Sequence, residues 1–324
     1  MRAFEYFAPQ QLADVIRTLS TAGGNAQVCA GGTDILGRLK DGVDSTDKLV
    51  CLKTLPEMRY VHESNDGVRI GALASLSTIE EHPIIRKSFP LLIEALFVTA
   101  APQIRNQATL GGSICQRPRC WYLRGPFDCL RKGGAKCFAV DGENKYHAIL
   151  GGHLCYIVHP SDTATALLAL NASAKIQGSK GEKTVPLDKF FVGPEVNILK
   201  ENILEDDEIL TEVFIPMPPA GSRGAFSKSR ERQSYDFALG SAAVQCTMKN
   251  GVCSEVRVVL GGVAPIPWRS VEAEEELRGK KLDQKTIERA AAAAVRKAKP
   301  MTQNAYKVDL TRQLLSKSLS QILG

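Results

Sequence analysis

Between residues 116 and 153 the sequence loses all helical and strand periodicity and fills with Arg, Gly, Pro, aromatics and cysteines. A stretch this long without secondary structure is uncommon inside a compact domain and is either functional or disordered. Its cysteine and aromatic content points to function. Of the nine cysteines, Cys29, Cys51, Cys246 and Cys253 are scattered, while Cys115, Cys120, Cys129, Cys137 and Cys155 follow the spacing C-x4-C-x8-C-x7-C-x17-C. Whatever fold the chain adopts must fit this segment in.

Zinc sites usually show tight C-x2-4-C knuckles, and none occurs here. Four thiolates on one flexible loop can instead wrap a cubane iron–sulfur cluster. The spacing is not the C-x2-C-x2-C ferredoxin run, so packing thiols and a structural zinc stay open beside the cluster. Cys115 stands at the end of a strand-like GGSI, before the loop proper, and is set aside. Cys120, Cys129, Cys137 and Cys155 are the candidate ligands. Arg117, Arg119, Arg124, Arg131 and Lys132 surround them. They offset the charge of a four-thiolate cluster or stand as solvent-facing loop charges, and the second is the expectation.

Residues 9–22 read as a helix with Leu12, Val15, Ile16 and Leu19 on one face, followed by a strand over 25–29. AGGTD at 30–34 then leads into a helix-like run to residue 40 and a strand at 48–52. AGGTD is not the dinucleotide fingerprint G-x-G-x-x-G. The N–H groups of Gly31 to Ile35 before a helix start would still form an anion nest, to which Thr33 adds a hydroxyl. ATLGGS at 108–113 repeats this chemistry. Two such turns suit a dinucleotide whose pyrophosphate is held from two sides, and plain turns are the alternative. In HPSD at 159–162, either Ser161 or Asp162 caps a helix, or Asp162 receives ribose or ribityl hydroxyls. His159 reads as structural.

Elsewhere the pattern predicts a strand and turn at 67–76, a helix over 83–104, a strand-like RNQATLGGSIC, and strand, turn, helix and strand from Cys155. A strand over 204–215 and a linker at 217–224 follow. FSKSRER, FALGSAAVQCTM and VCSEVRVVLGGVAPIPWR read as an antiparallel sheet, followed by helices near 271–277, 284–298 and 304–323.

With 324 residues, 44% hydrophobic and 23% charged, the chain fits two ordinary globular domains and excludes disordered, collagen-like and coiled-coil classes. Its apolar stretches fall short of the ~20 residues that cross a bilayer, so no membrane association is expected. The net charge of +6 is spread along the chain, so no nucleic-acid partner is expected either. MRAFEYFAPQQLADVI has no secretory pattern, which makes a reducing cytoplasm the default and argues against a disulfide framework.

AGGTD, TLGGSIC and PSDTATALLAL together resemble the FAD subunit of the molybdenum hydroxylases, the xanthine dehydrogenase family. There the second glycine turn and the P-x-S-D turn normally lie close together, whereas here the cysteine loop separates them. Such an insertion resembles the flavin subunits of 4-hydroxybenzoyl-CoA reductase and of bacterial periplasmic aldehyde oxidoreductase, both of which carry an extra [4Fe-4S] cluster on it. RNQATLGG, CQRPRC, HAILGG, HPSDTA, SYDFAL and GGVAPIPWR are more similar to the aldehyde oxidoreductase branch, and the resemblance runs from Phe4 to about Leu319.

The resemblance implies an α+β fold. A two-subdomain, PCMH-like FAD-binding domain would span 1–220, with subdomains at about 1–55 and 56–220 and the iron–sulfur insertion at 116–155. A C-terminal sheet-plus-helices domain would span 221–324. Gln27, Val28, Cys29, Ala30, Gly31, Gly32, Thr33, Asp34 and Ile35 match the FAD pyrophosphate loop. Thr109, Gly112 and Ser113 lie near the flavin phosphates, and the family often has Asn where Ser113 stands. Asp162 matches the acid at the FAD sugar and Lys228 a basic residue near the flavin. Cys120, Cys129, Cys137 and Cys155 match the cluster ligands, and Cys115 matches none. No side chain is catalytic in its own right.

Implied partners are a large molybdenum-cofactor subunit, a small subunit with two [2Fe-2S] clusters and an external carrier such as ferredoxin. Aromatic aldehyde oxidation by a heterotrimer is the implied activity. A 4-hydroxybenzoyl-CoA reductase or xanthine dehydrogenase-type role is the alternative, and a non-redox zinc-binding module the alternative of another class. The alternative to the cytoplasm is the periplasm, reached by export of the folded complex through a signal on the small partner.

Overall fold

The computed structural model describes residues 1–323. The N-terminal layer is a parallel sheet of β1 (Glu5–Phe7), β2 (Ala26–Cys29) and β3 (Lys48–Cys51) in the order β1-β3-β2. Parallel neighbours need crossover connections, supplied by α1 (Leu12–Ala22) and α2 (Ile35–Lys40). α1 buries Val15, Ile16 and Leu19 and stops at Gly23, whose φ of 54° lies in the left-handed region that favours glycine. β1 is only three residues long and went unread in the sequence.

The second layer is an antiparallel sheet of β4 (Val61–Ser64), β5 (Gly67–Gly71), β6 (Ser173–Gly178), β7 (Gly181–Pro186) and β8 (Ile209–Pro216), in the order β4-β5-β8-β6-β7. Between β5 and β6 run α3 (Leu76–Glu81), α4 (Pro83–Ser88), α5 (Pro90–Phe97), α6 (Pro102–Gln107), α7 (Leu110–Ile114), α8 (Trp121–Arg124) and α9 (Asp162–Ala169). The helix expected over 83–104 is three helices. Pro83, Pro90 and Pro102 each sit at a first helical position, which tolerates a residue without N–H, and none could sit mid-helix. The strand expected in RNQATLGGSIC is also helical. Thr109 caps α7 by accepting from the Gly112 amide at 3.2 Å, and short runs of small and apolar residues do not separate helix from strand by periodicity. Nor does Cys155 open a strand: residues 155–161 join no sheet, and the His159 amide is tied to the Ala264 carbonyl at 3.0 Å. All eight residues of α9 are buried.

The C-terminal sheet is β9 (Ser222–Ser229), β10 (Gly240–Lys249), β11 (Val252–Gly261) and β12 (Trp268–Arg269), antiparallel in the order β12-β11-β10-β9. The expected helices form as α10 (Val271–Leu277), α11 (Gln284–Ala294) and α12 (Tyr306–Leu323), the last packed on β9 and β10. Cys246 and Cys253 face each other across β10 and β11, with their Cα atoms 6.3 Å apart. The tight β10–β11 connection brings together two cysteines that look scattered in sequence. Among the described residues no helix is long and apolar enough to cross a membrane.

The insertion stays largely irregular, with α8 and a single 3-10 turn at Leu130–Lys132. The C-terminal unit pins it down. Asn144, fully buried, donates to the Ala139 carbonyl at 3.0 Å and to Thr302 at 2.9 Å, and accepts from the Gln303 amide at 2.9 Å. Lys307, also fully buried on α12, donates to the carbonyls of Tyr146 and Gly262, both at 2.8 Å.

Burial pushes the Lys307 amine down from 10.5 to about 7. Between those pH values the unfolded chain binds more protons than the folded one, so this group makes stability rise with pH. We therefore expect the urea midpoint to increase from pH 7 to pH 9. Lys307→Met should show a smaller increase when both are measured by urea unfolding at the two pH values.

Candidate functional site

The turn AGGTD joins β2 to α2, and TLGGS opens α7. No room exists for a Cβ on Gly31, because the Gln107 carbonyl and the Ala108 backbone fill that space. The two glycine turns therefore touch. Gly32 has a φ of 77°, which glycine adopts without strain. Among the described residues, no amide from Gly31 to Asp34 donates to another protein group. Those donors face a cleft lined by Gln27, Val28, Ala30, Thr33, Ile35, Thr109 and Gly112. Cys29 instead packs against the cluster of Ile35, Leu39 and Leu49.

A second cleft shares Thr33, Asp34 and Gly112 with the first and adds Ser113, Asp162 and Lys228. A third, of about 620 Å³, shares Asp162 and Arg119 with the second and runs on to His147 and Cys120. Shared walls make these one groove from the glycine turns to the cysteine loop, the shape an extended dinucleotide requires. At its middle Lys228 Nζ donates to Asp162 Oδ2 at 2.7 Å and to the Val98 carbonyl at 3.0 Å. Burial raises the Asp162 pKa, and Lys228 and Thr99 only partly oppose it. Ser161 caps α9 by accepting from the Ala164 amide, leaving Asp162 free to face Lys228. Ser113 lies 3.0 Å from the Ser161 hydroxyl and 2.8 Å from that of Thr163, so its hydroxyl already ties α7 to the start of α9. His159 is buried, accepts from the Ser161 amide at 3.3 Å, and is lowered by burial to about 4.

Cys120, Cys129, Cys137 and Cys155 line one small cavity together with Leu130, Arg131, His147 and Ile157. Cys115 is not on its wall. It lines the cleft at the glycine turns, and burial pushes its thiol up to about 12. Two residues around the thiols were not singled out by sequence: His147, whose Nε2 is 3.2 Å from Cys120 Sγ, and, one step removed, Glu201, which holds the Arg131 that donates to Cys155. Among the described residues no three His, Cys, Asp or Glu side chains draw together closely enough for a single metal ion.

The expectation of solvent-facing arginines fails. Asp34 accepts from the Arg117 amide at 3.1 Å and from Arg124 at 2.8 Å, with Arg119 at 3.1 Å and Arg38 at 3.4 Å. Arg117 also meets Asp44 at 2.7 Å and Glu201 at 3.2 Å, and Arg131 meets Glu201 at 2.7 Å. Burial raises the Asp34 carboxyl, but Arg119, Arg124 and Arg38 outweigh it and hold it below its ordinary value. The acids that bury these arginines lie far away in sequence, which is why local spacing misleads. Lys132 lies outside this network and donates to the Gly125 carbonyl at 2.7 Å. Arg38, Arg117, Arg119, Arg124 and Arg131 share the three carboxylates of Asp34, Asp44 and Glu201, which leaves a local excess of positive charge.

Residues 2–120 and 138–218 match the model of the FAD binding domain in molybdopterin dehydrogenase, and residues 224–322 that of the CO dehydrogenase flavoprotein C-terminal domain. The chain belongs to this family. It is the flavoprotein component of a molybdenum-dependent oxidoreductase, and its α+β fold is the one the sequence predicts. It is 31% identical to the aldehyde oxidoreductase FAD-binding subunit of Escherichia coli (strain K12), over 99% of this chain and 98% of that one. It is 27% identical to the carbon monoxide dehydrogenase medium chain of Hydrogenophaga pseudoflava, over 98% and 96%. A solved structure of carbon monoxide dehydrogenase from that organism superposes with a TM-score of 0.79 at 26% identity, covering 98% of this chain and 96% of its counterpart. The family match breaks at 121–137, the part of the insertion that holds Cys129 and Cys137.

Gly31→Ala should push the two glycine turns apart. FAD affinity is expected to fall at least tenfold, about 1.4 kcal/mol, read as flavin absorbance per chain after dialysis. Full retention of flavin would show that the contact between the turns is not needed.

Proposed function

We propose that this chain is the FAD- and [4Fe-4S]-containing electron-transfer subunit of a heterotrimeric molybdenum hydroxylase. It passes electrons between the [2Fe-2S] clusters of a small partner and an external carrier such as ferredoxin. The large molybdenum partner oxidises an aldehyde, an aromatic one in the reading favoured by the sequence resemblance. The observation that carries the proposal is the meeting of four cysteines, drawn from 36 residues of irregular chain, around one cavity at the end of the flavin groove.

The residues fit both groups. Amides from Gly31 to Asp34 present unpaired donors for a pyrophosphate, and the excess guanidinium charge balances it. Gln27, Val28, Ala30 and Ile35 shape that end of the groove, while Thr109 and Gly112 close it from the α7 side. Cys29 and Ser113 act from behind, by packing and by tying helices together. Asp162, held by Lys228, offers an acceptor to sugar or ribityl hydroxyls. Cys120, Cys129, Cys137 and Cys155 line one shared space with no three of them drawn to a single point, a set that suits a four-cornered cluster better than one zinc ion. FAD, when bound, supplies both one- and two-electron exchange. The chain's own task is to orient it and to keep water from the cysteine cavity.

In the purified complex we expect four irons per copy of this chain, with Cys137→Ser losing most of them while keeping FAD. Iron analysis and the visible spectrum decide. Unchanged iron in Cys137→Ser would remove that residue from the ligand set, and zinc in a colourless chain would favour the structural-module reading. The relative at 31% identity favours aldehydes as the substrate class. Turnover of an aromatic CoA thioester in place of aldehydes would instead favour the 4-hydroxybenzoyl-CoA reductase type.

A further inference from the structure

We propose that Arg131 sets the reduction potential of the cluster held by Cys120, Cys129, Cys137 and Cys155. This rests on the iron–sulfur reading above. The Arg131 side chain is 1% exposed and forms part of the cavity wall. Its Nε donates to Cys155 Sγ at 3.3 Å and its Nη1 to Glu201 Oε1 at 2.7 Å. Its Nη2 is buried with no hydrogen-bond partner. A buried guanidinium donor without an acceptor is costly, and a sulfur-rich anion in the cavity is the acceptor this position can serve.

The charge balance points the same way. Glu201 also neutralises Arg117, 3.2 Å away, so Arg131 shares a single carboxylate and keeps positive charge toward the thiols. A guanidinium stays charged at any working pH. Reduction adds one negative charge to a cluster. A nearby fixed cation and N–H donors to sulfur stabilise the reduced form more than the oxidised form, most strongly where water is excluded. Arg131 therefore makes the cluster easier to reduce, and hence a better acceptor for electrons leaving the flavin.

The test uses the whole complex with Arg131→Gln, measuring iron and FAD per chain together with the cluster midpoint by EPR-monitored redox titration. Iron and flavin are expected to stay, and the midpoint to fall far enough to disfavour reduction at least tenfold, about 59 mV for one electron. Arg131→Lys should fall less, since the charge remains and the fork is lost. If Arg131→Gln loses iron, Glu201→Gln gives the measurement: removing the offsetting carboxylate leaves the thiols in place, and the midpoint should rise. An unchanged midpoint in either iron-replete variant overturns the proposal. Wild-type complex without iron on this chain overturns the cluster reading itself.

Discussion

The carboxylate of Asp34 holds the structure's two functional ends together. It sits at the start of α2, directly after the glycine turn, and receives the Arg117 amide and three guanidiniums, two of them from the insertion. In a half-buried site such charge-assisted contacts are shorter and stronger than neutral ones. Arg117 extends the network through Glu201 to Arg131 and so to Cys155. An insertion without regular secondary structure thereby gains a fixed position relative to the free amides of the glycine turn. Without these ion pairs the loop would have little to repay its conformational entropy.

The C-terminal unit supplies the second set of constraints. Asn144 and Lys307 satisfy buried backbone and side-chain groups between the insertion and the segments around Thr302 and Gly262. Lys228 reaches from β9 to Asp162 at the start of α9. These contacts tie the C-terminal unit to the insertion and, through Lys228, to the groove. The groove and the cysteine cavity therefore depend on the two units staying docked, although most of the residues lining them come from the first.

Much of the site is legible locally, because its chemistry is short-range in sequence. A glycine pair before a helix presents free amides, Ser161 caps the helix it precedes, and four thiols stand together in one aperiodic run. The helices of the C-terminal unit are equally readable from their periodicity. The misreadings also have local causes. Prolines at 83, 90 and 102 begin new helices where the apolar pattern runs on unbroken, and Thr109 starts a helical turn that its glycines disguise. β1, β4 and β7 are short or solvent-facing, so they lack a buried alternation to reveal them.

The amino-acid sequence alone determined the chemistry on offer: the donors of the glycine turns, the Asp162 carboxylate, the four clustered cysteines and the family to which their arrangement belongs. Only the tertiary structure decided how that chemistry is set. It gave the arginines acids from residues 34, 44 and 201, engaged the Ser113 hydroxyl with Ser161 and Thr163, and brought Cys246 to face Cys253. The division follows from range. A residue type and its immediate neighbours fix what a group can donate or accept. Its charge balance and exposure are set by partners tens of residues away, which meet it only when the sheets and helices pack.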